Sequence, residues 1–165
     1  MAGNEKEADI ELECHKKSAV DLFNLAWALY DKRDRTREED EEMIYAAYAS
    51  RYHWGKIESV VGRERWTQAM ARGEWQISRM YIPLNHPEAA LHHAKRSLEH
   101  CREHGIGDFD LAFAYEAVAR AYAIGGNEAE RDKYVELAKK AGEEIAEKEN
   151  KDYFLSELAT VPGYK

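Results

Sequence analysis

Arg72, Trp75 and Arg79 recur at intervals of three and four residues, and Phe113, Glu116 and Arg120 repeat that rhythm further along the chain. On a helix such intervals put each trio on one face. Guanidinium groups grip carboxylates and phosphates, and an aromatic ring between them can stack an apolar or planar group. A mixed Arg/aromatic/Glu face of this kind suits an acidic peptide segment, a partner protein or a small anionic ligand. It equally suits an internal ion pair, since Glu116 and Arg120 are four apart. The three arginines face a single carboxylate on this stripe, and guanidinium groups are costly to bury unless paired. A bound anion or a partner's carboxylate would balance the excess.

His53, at the end of a helical stretch, either caps that stretch's carbonyls or turns its ring into the same groove. With Glu116 it is the candidate acid–base pair if the chain is an enzyme. The segment around Pro87 to Gly105 carries His92, His93, His100, Cys101 and His104. His100 and His104 are four apart, a spacing that can hold a metal from one face. No carboxylate completes an HExxH pattern, and Cys101 belongs to an apolar stripe with Leu91, Ala94 and Leu98. The expectation is no metal and no cofactor. No nucleophile elbow, P-loop or Gly-rich dinucleotide turn is present, so the sequence supplies no catalytic motif and leaves enzymatic activity open, with a binding role favoured.

Helices must position these residues. Ala, Glu, Leu, Lys and Arg are abundant, and the three prolines fall at 83, 87 and 162, an all-helical composition. The first helix covers about 5–32, with apolar residues around most of its circumference. Thr36-Arg37-Glu38-Glu39 is a capping box that starts the second, which ends near Gly55. KIESVVG reads as a connection. The third helix covers about 63–82, with Gly73 inside it suggesting close packing, and Pro83 ends it. Pro87 opens the fourth and Gly105 stops it. Asp108 or Asp110 is the expected cap of the fifth. Gly125-Gly126-Asn127 turns into a sixth that runs to about 149, and Asn150 is the expected cap of a short seventh.

The third-fourth and fifth-sixth pairs align at an offset of 41 residues, as from Arg79 to Arg120, Tyr81 to Tyr122 and Ser97 to Ala138. Small residues stand where two helices would touch and aromatics where filler is needed. This pattern resembles the tetratricopeptide repeat (TPR), although its period exceeds the usual value of roughly 34. Longer strings are similar to a group of uncharacterised bacterial TPR-like proteins: RTREEDEEMIYAAYASRYHW (35–54), ARGEWQISRMY (71–81), GDFDLAFAYEAVARAYA (107–123) and ELATVPG (157–163). The resemblance implies a TPR-like array of antiparallel helical hairpins; length and periodicity predict about seven helices in one domain over 1–165, with 1–12 and 160–165 as candidate flexible ends. Where that group carries His, this chain has Tyr45 and Tyr48, and Tyr122 is a third such position, so the resemblance supplies no reaction.

Charge and composition narrow the partners. Lys and Arg total 24 against 32 Asp and Glu, a net charge of -8 over 165 residues. An acidic surface repels phosphate backbones, so nucleic acid is not expected as a partner. No stretch approaches the roughly 18 apolar residues of a membrane span. The N-terminus is charged and has no secretory apolar run, and Cys14 and Cys101 form no CxxC pair, which points to reduced thiols in the cytoplasm. The oligomeric state stays open.

Overall fold

Thr36 sets the first helix boundary. Its hydroxyl accepts from the Glu39 amide at 3.3 Å, and the Glu39 carboxylate accepts from the Thr36 amide at 2.9 Å. Both halves of the expected capping box therefore form. In the computed structural model this box opens α2 (Arg37–Trp54) after α1 (Ala2–Asp31). The structure describes residues 2–164, and their side chains except those of residues 2–6 and 8. The remaining elements are α3 (Glu58–Val61), α4 (Arg63–Tyr81), α5 (Pro87–Glu103), α6 (Asp108–Ile124), α7 (Glu128–Glu143) and α8 (Lys148–Leu158), and no strand occurs among the described residues. No described helix is long and apolar enough to cross a membrane.

The chain gathers into two compact units, Met1–Gly73 and Glu74–Lys165, where the sequence suggests one domain. Unit 1 is built on the packing of α1 against α2. The two run antiparallel, as the pairings of Ser50 with the Ala19 carbonyl (2.7 Å) and of His15 with His53 require. Arg35 closes the turn between them. Its guanidinium donates to the carbonyls of Leu29, Tyr30 and Lys32, the unsatisfied end of α1, and its Nε holds Asp40 at 2.6 Å. Gly73 bears out its reading as a close approach: a Cβ there would meet Arg51 Cδ of α2 at 2.6 Å.

Unit 2 is organised around α6. Ala112, Ala114, Ala117, Ala119 and Ala121 are all buried, and a helix buried on most sides needs neighbours on most sides. It has them in α5, α7 and α8. Alanine is what lets those helices come close. Ser97 of α5 and Ala138 of α7 are interior small residues, as the repeat alignment expects. Phe113, Val135, Ile145, Phe154, Leu158 and Val161 fill the remaining space. Gly142 on α7 is the point where α8 folds back, since a Cβ there would sit 2.7 Å from Cδ1 of the buried Phe154 ring.

Three local expectations are corrected. KIESVVG is not only a connection: it contains the single turn α3. Neither Asp108 nor Asp110 caps α6; Gly107 holds that position with no side-chain bond, and Asp108 has a left-handed backbone (φ 52°). Both aspartates instead place negative charge at the positive end of the helix. Asn150 is inside α8 rather than at its cap, because α7 stops at Glu143 and α8 starts at Lys148. Its amide donates back to Glu147 at 2.9 Å.

Candidate functional site

The anticipated groove residues divide between the units. Trp75, Arg79, Phe113, Glu116 and Arg120 belong to unit 2; Arg72 and His53 belong to unit 1.

In unit 2 the residues do meet, around Glu116 and a second acid, Glu157 of α8, to which the helical spacing does not point. Arg79 Nη1 lies 3.2 Å from Glu116 Oε1, and its Nη2 lies 3.0 Å from Glu157 Oε2 on α8. Arg120 Nε donates to the same Glu116 Oε1 at 2.6 Å, so the i,i+4 ion pair forms. The other Arg120 nitrogens reach the Glu157 carbonyl (3.0 Å), the Thr160 hydroxyl (2.7 Å) and the Thr160 carbonyl (3.3 Å). Glu116 has no exposed surface, and Arg79 and Arg120 are each only 6 % exposed. Two arginines therefore face two carboxylates, and the local charge balances. Beside this network Trp75 meets Phe113 edge-on at 5.4 Å, and Phe113 meets Phe154 of α8 at 5.1 Å. This face of α6 is covered by α8 from the same chain.

A second buried pair in unit 2 was not anticipated. His93 Nδ1 lies 2.7 Å from Glu74 Oε2, and Arg96 Nε lies 3.3 Å from Glu74 Oε1. Tyr81 stacks on the His93 ring at 6.2 Å and 15°. With Ser78 donating to the Ala90 carbonyl at 2.8 Å, this pair ties α4 to α5. A faint signal was available: Glu74 and Ser78 are four apart and precede the His92-His93 doublet on the next helix.

In unit 1, α4 turns a stripe of Arg65, Gln68, Ala69 and Arg72 toward a cleft of about 190 Å³, whose other walls are Val20 and Phe23 of α1 and Trp54 of α2. The spacing of these four α4 residues is that of a single helical face. Ala69 is the reason there is room, since it stands between two long basic side chains. Arg65 and Arg72 are both exposed. The cleft thus joins an apolar, partly aromatic floor to two guanidinium groups. Of the lining residues only Arg72 stands on the stripe expected from sequence; Val20 and Phe23 come from α1 and Trp54 from α2, which local spacing cannot reveal.

His53 engages α1. Its Nδ1 lies 2.6 Å from that of His15, with ring centroids 4.9 Å apart. Burial, and then the neighbouring His15, hold the His53 imidazole below its usual value. His53 is thus engaged within unit 1 and Glu116 within unit 2.

For a metal, the described residues bring together one group of three, His100, Glu103 and His104, at the end of α5. Glu103, three residues after His100, joins the histidine pair that the sequence spacing alone displays. No family model, no curated protein and no solved structure matches the chain.

Proposed function

We propose that the chain is a TPR-like binding module of the cytoplasm that holds an acidic, aromatic-bearing segment of a partner protein. The observation that carries this reading is the unit 1 cleft, lined by Arg65 and Arg72 together with Phe23 and Trp54. Bidentate guanidinium groups would take the partner's carboxylates, and the floor would take one apolar side chain. Size favours a segment over a free metabolite. About 190 Å³ is near the roughly 150 Å³ that holds one benzene ring. It is below the roughly 300–1,000 Å³ of small-molecule sites. The rest of a peptide would lie across the surface, and unit 1 exposes Tyr45, Tyr48 and Tyr52 along α2, aromatics of the type enriched in protein interfaces.

The TPR-like part of the proposal rests on unit 2. Arg79 and Arg120, equivalent in the 41-residue alignment, bind one oxygen of one carboxylate. Ser97 and Ala138, also equivalent, are both buried. In this reading α4–α5 and α6–α7 are successive hairpins, and α8 covers the second of them.

A free anionic metabolite is the second reading, favoured by the presence of two arginines in the lining of one cleft. Fluorescence titration with short peptides that place one Phe among Asp and Glu separates the two. Saturable binding of the acidic peptide, absent with a Lys-for-Glu version and with small aromatic carboxylates alone, supports the segment. Binding of the small carboxylates with equal strength supports the metabolite.

A further inference from the structure

The end of α5 and its C-cap bring together a further set of metal-binding side chains. His100 and His104 are one helical turn apart, and Glu103 stands beside them, so the three share a face. One donor atom from each lies within 4.8 Å of the other two. The imidazoles stack at 6.0 Å and 24°. His100 is half-buried, which steadies its ring, while Glu103 and His104 are exposed and open to an arriving ion. Cys101, at 1 % exposure, belongs to the core side of the same helix and adds no ligand.

We propose that His100, Glu103 and His104 form a three-ligand site for a borderline divalent cation of the zinc type. Two imidazoles and one carboxylate are the donors that zinc and copper(II) accept. Calcium and magnesium ask for more oxygen atoms. Donors on a tetrahedral zinc stand about 3.3 Å apart, given metal–nitrogen bonds of about 2.0–2.1 Å. The three donors already lie within 4.8 Å of one another, so a short further approach brings them to that spacing. The location helps as well. A helix C-terminus carries partial negative charge, and the chain's net charge of -8 favours cations generally. Three protein ligands leave a fourth position to water, so the site is exchangeable rather than a closed structural centre.

Calorimetric titration of zinc into the tag-free chain tests this. The expected result is saturable uptake of one ion per chain. His100→Ala and His104→Ala should each weaken it by no less than the roughly 10–100-fold that loss of an outer-shell partner costs. Glu103→Gln should weaken it too, while His92→Ala and His15→Ala leave it unchanged. Cobalt(II) gives a second readout, visible absorption of a tetrahedral ion that His104→Ala abolishes while circular dichroism shows the helices intact. Absence of saturable uptake would overturn the proposal. So would uptake that survives the His100→Ala/His104→Ala double variant, or that His92→Ala removes equally.

Discussion

Arg79 on α4 and Glu157 on α8, 78 residues apart in sequence, meet at 3.0 Å. The pairing explains how unit 2 can bury arginines at all. Each guanidinium brought out of water needs a matched acceptor, and α8 with the turn after it supplies the Glu157 carboxylate, the carbonyls of Glu157 and Thr160 and the Thr160 hydroxyl. The C-terminal helix is thereby part of the electrostatic balance of α6 as well as of its apolar packing.

Glu116→Ala should be severely destabilising. It removes the acid shared by Arg79 and Arg120 and leaves two nearly buried cations short of a partner, a loss of about 3–5 kcal/mol. Glu157→Gln should cost less, because that side chain is 26 % exposed and Arg79 keeps Glu116. Urea unfolding of the two variants checks the order; a Glu116→Ala chain as stable as the parent would remove the network from the description of the fold.

Ala138→Leu tests the repeat alignment. Ala138 has no exposed surface, so three added carbons must displace neighbours in a close-packed interior, at about 1–3 kcal/mol. A denaturant melt with an unchanged midpoint would mean that α7 does not pack as the second helix of a hairpin.

Much of this architecture was legible locally. Thr36 and Glu39 bond across a single turn, Pro87 opens α5, and Asn127 caps α7 by accepting from the Glu130 amide. Each depends on neighbours within four residues, which is the range a sequence displays. The Glu116–Arg120 pair was visible for the same reason. Glu157 was not, because nothing near ELATVPG says that this acid folds back onto α4. The cleft was half visible: Arg65, Gln68, Ala69 and Arg72 spell a helical stripe, but Phe23 and Trp54 reach it through tertiary packing. Asn150 misled because a good capping residue lay just past the true helix start, and the position of α8 is set by Phe154 against Gly142 instead.

Stability should fall on acidification through His53. Its folded pKa is lowered, first by burial and then by His15, from the usual 6.5. Between that value and the lower folded one the unfolded chain binds more protons, so stability rises with pH in that window and is lost as pH falls through it. The melting temperature should therefore drop below pH 6.5, and His15→Asn, which removes one of the two causes, should make the drop shallower. An identical pH profile in His15→Asn would show that the neighbouring imidazole has no part in it.

The most direct measurement is the affinity of the acidic, Phe-containing peptide for four chains: the parent, Arg65→Glu, Arg72→Glu and Ala69→Leu. The two arginines are exposed, and each reversal should weaken binding by at least about tenfold, equivalent to 1.4 kcal/mol, with circular dichroism and a melt confirming that the helices stay folded. Ala69→Leu fills the cavity without changing charge and should also weaken binding, while added salt should weaken the parent complex. Peptide affinity unchanged across all four chains, or a parent that prefers the Lys-for-Glu peptide, would contradict a carboxylate-reading cleft between α1, α2 and α4.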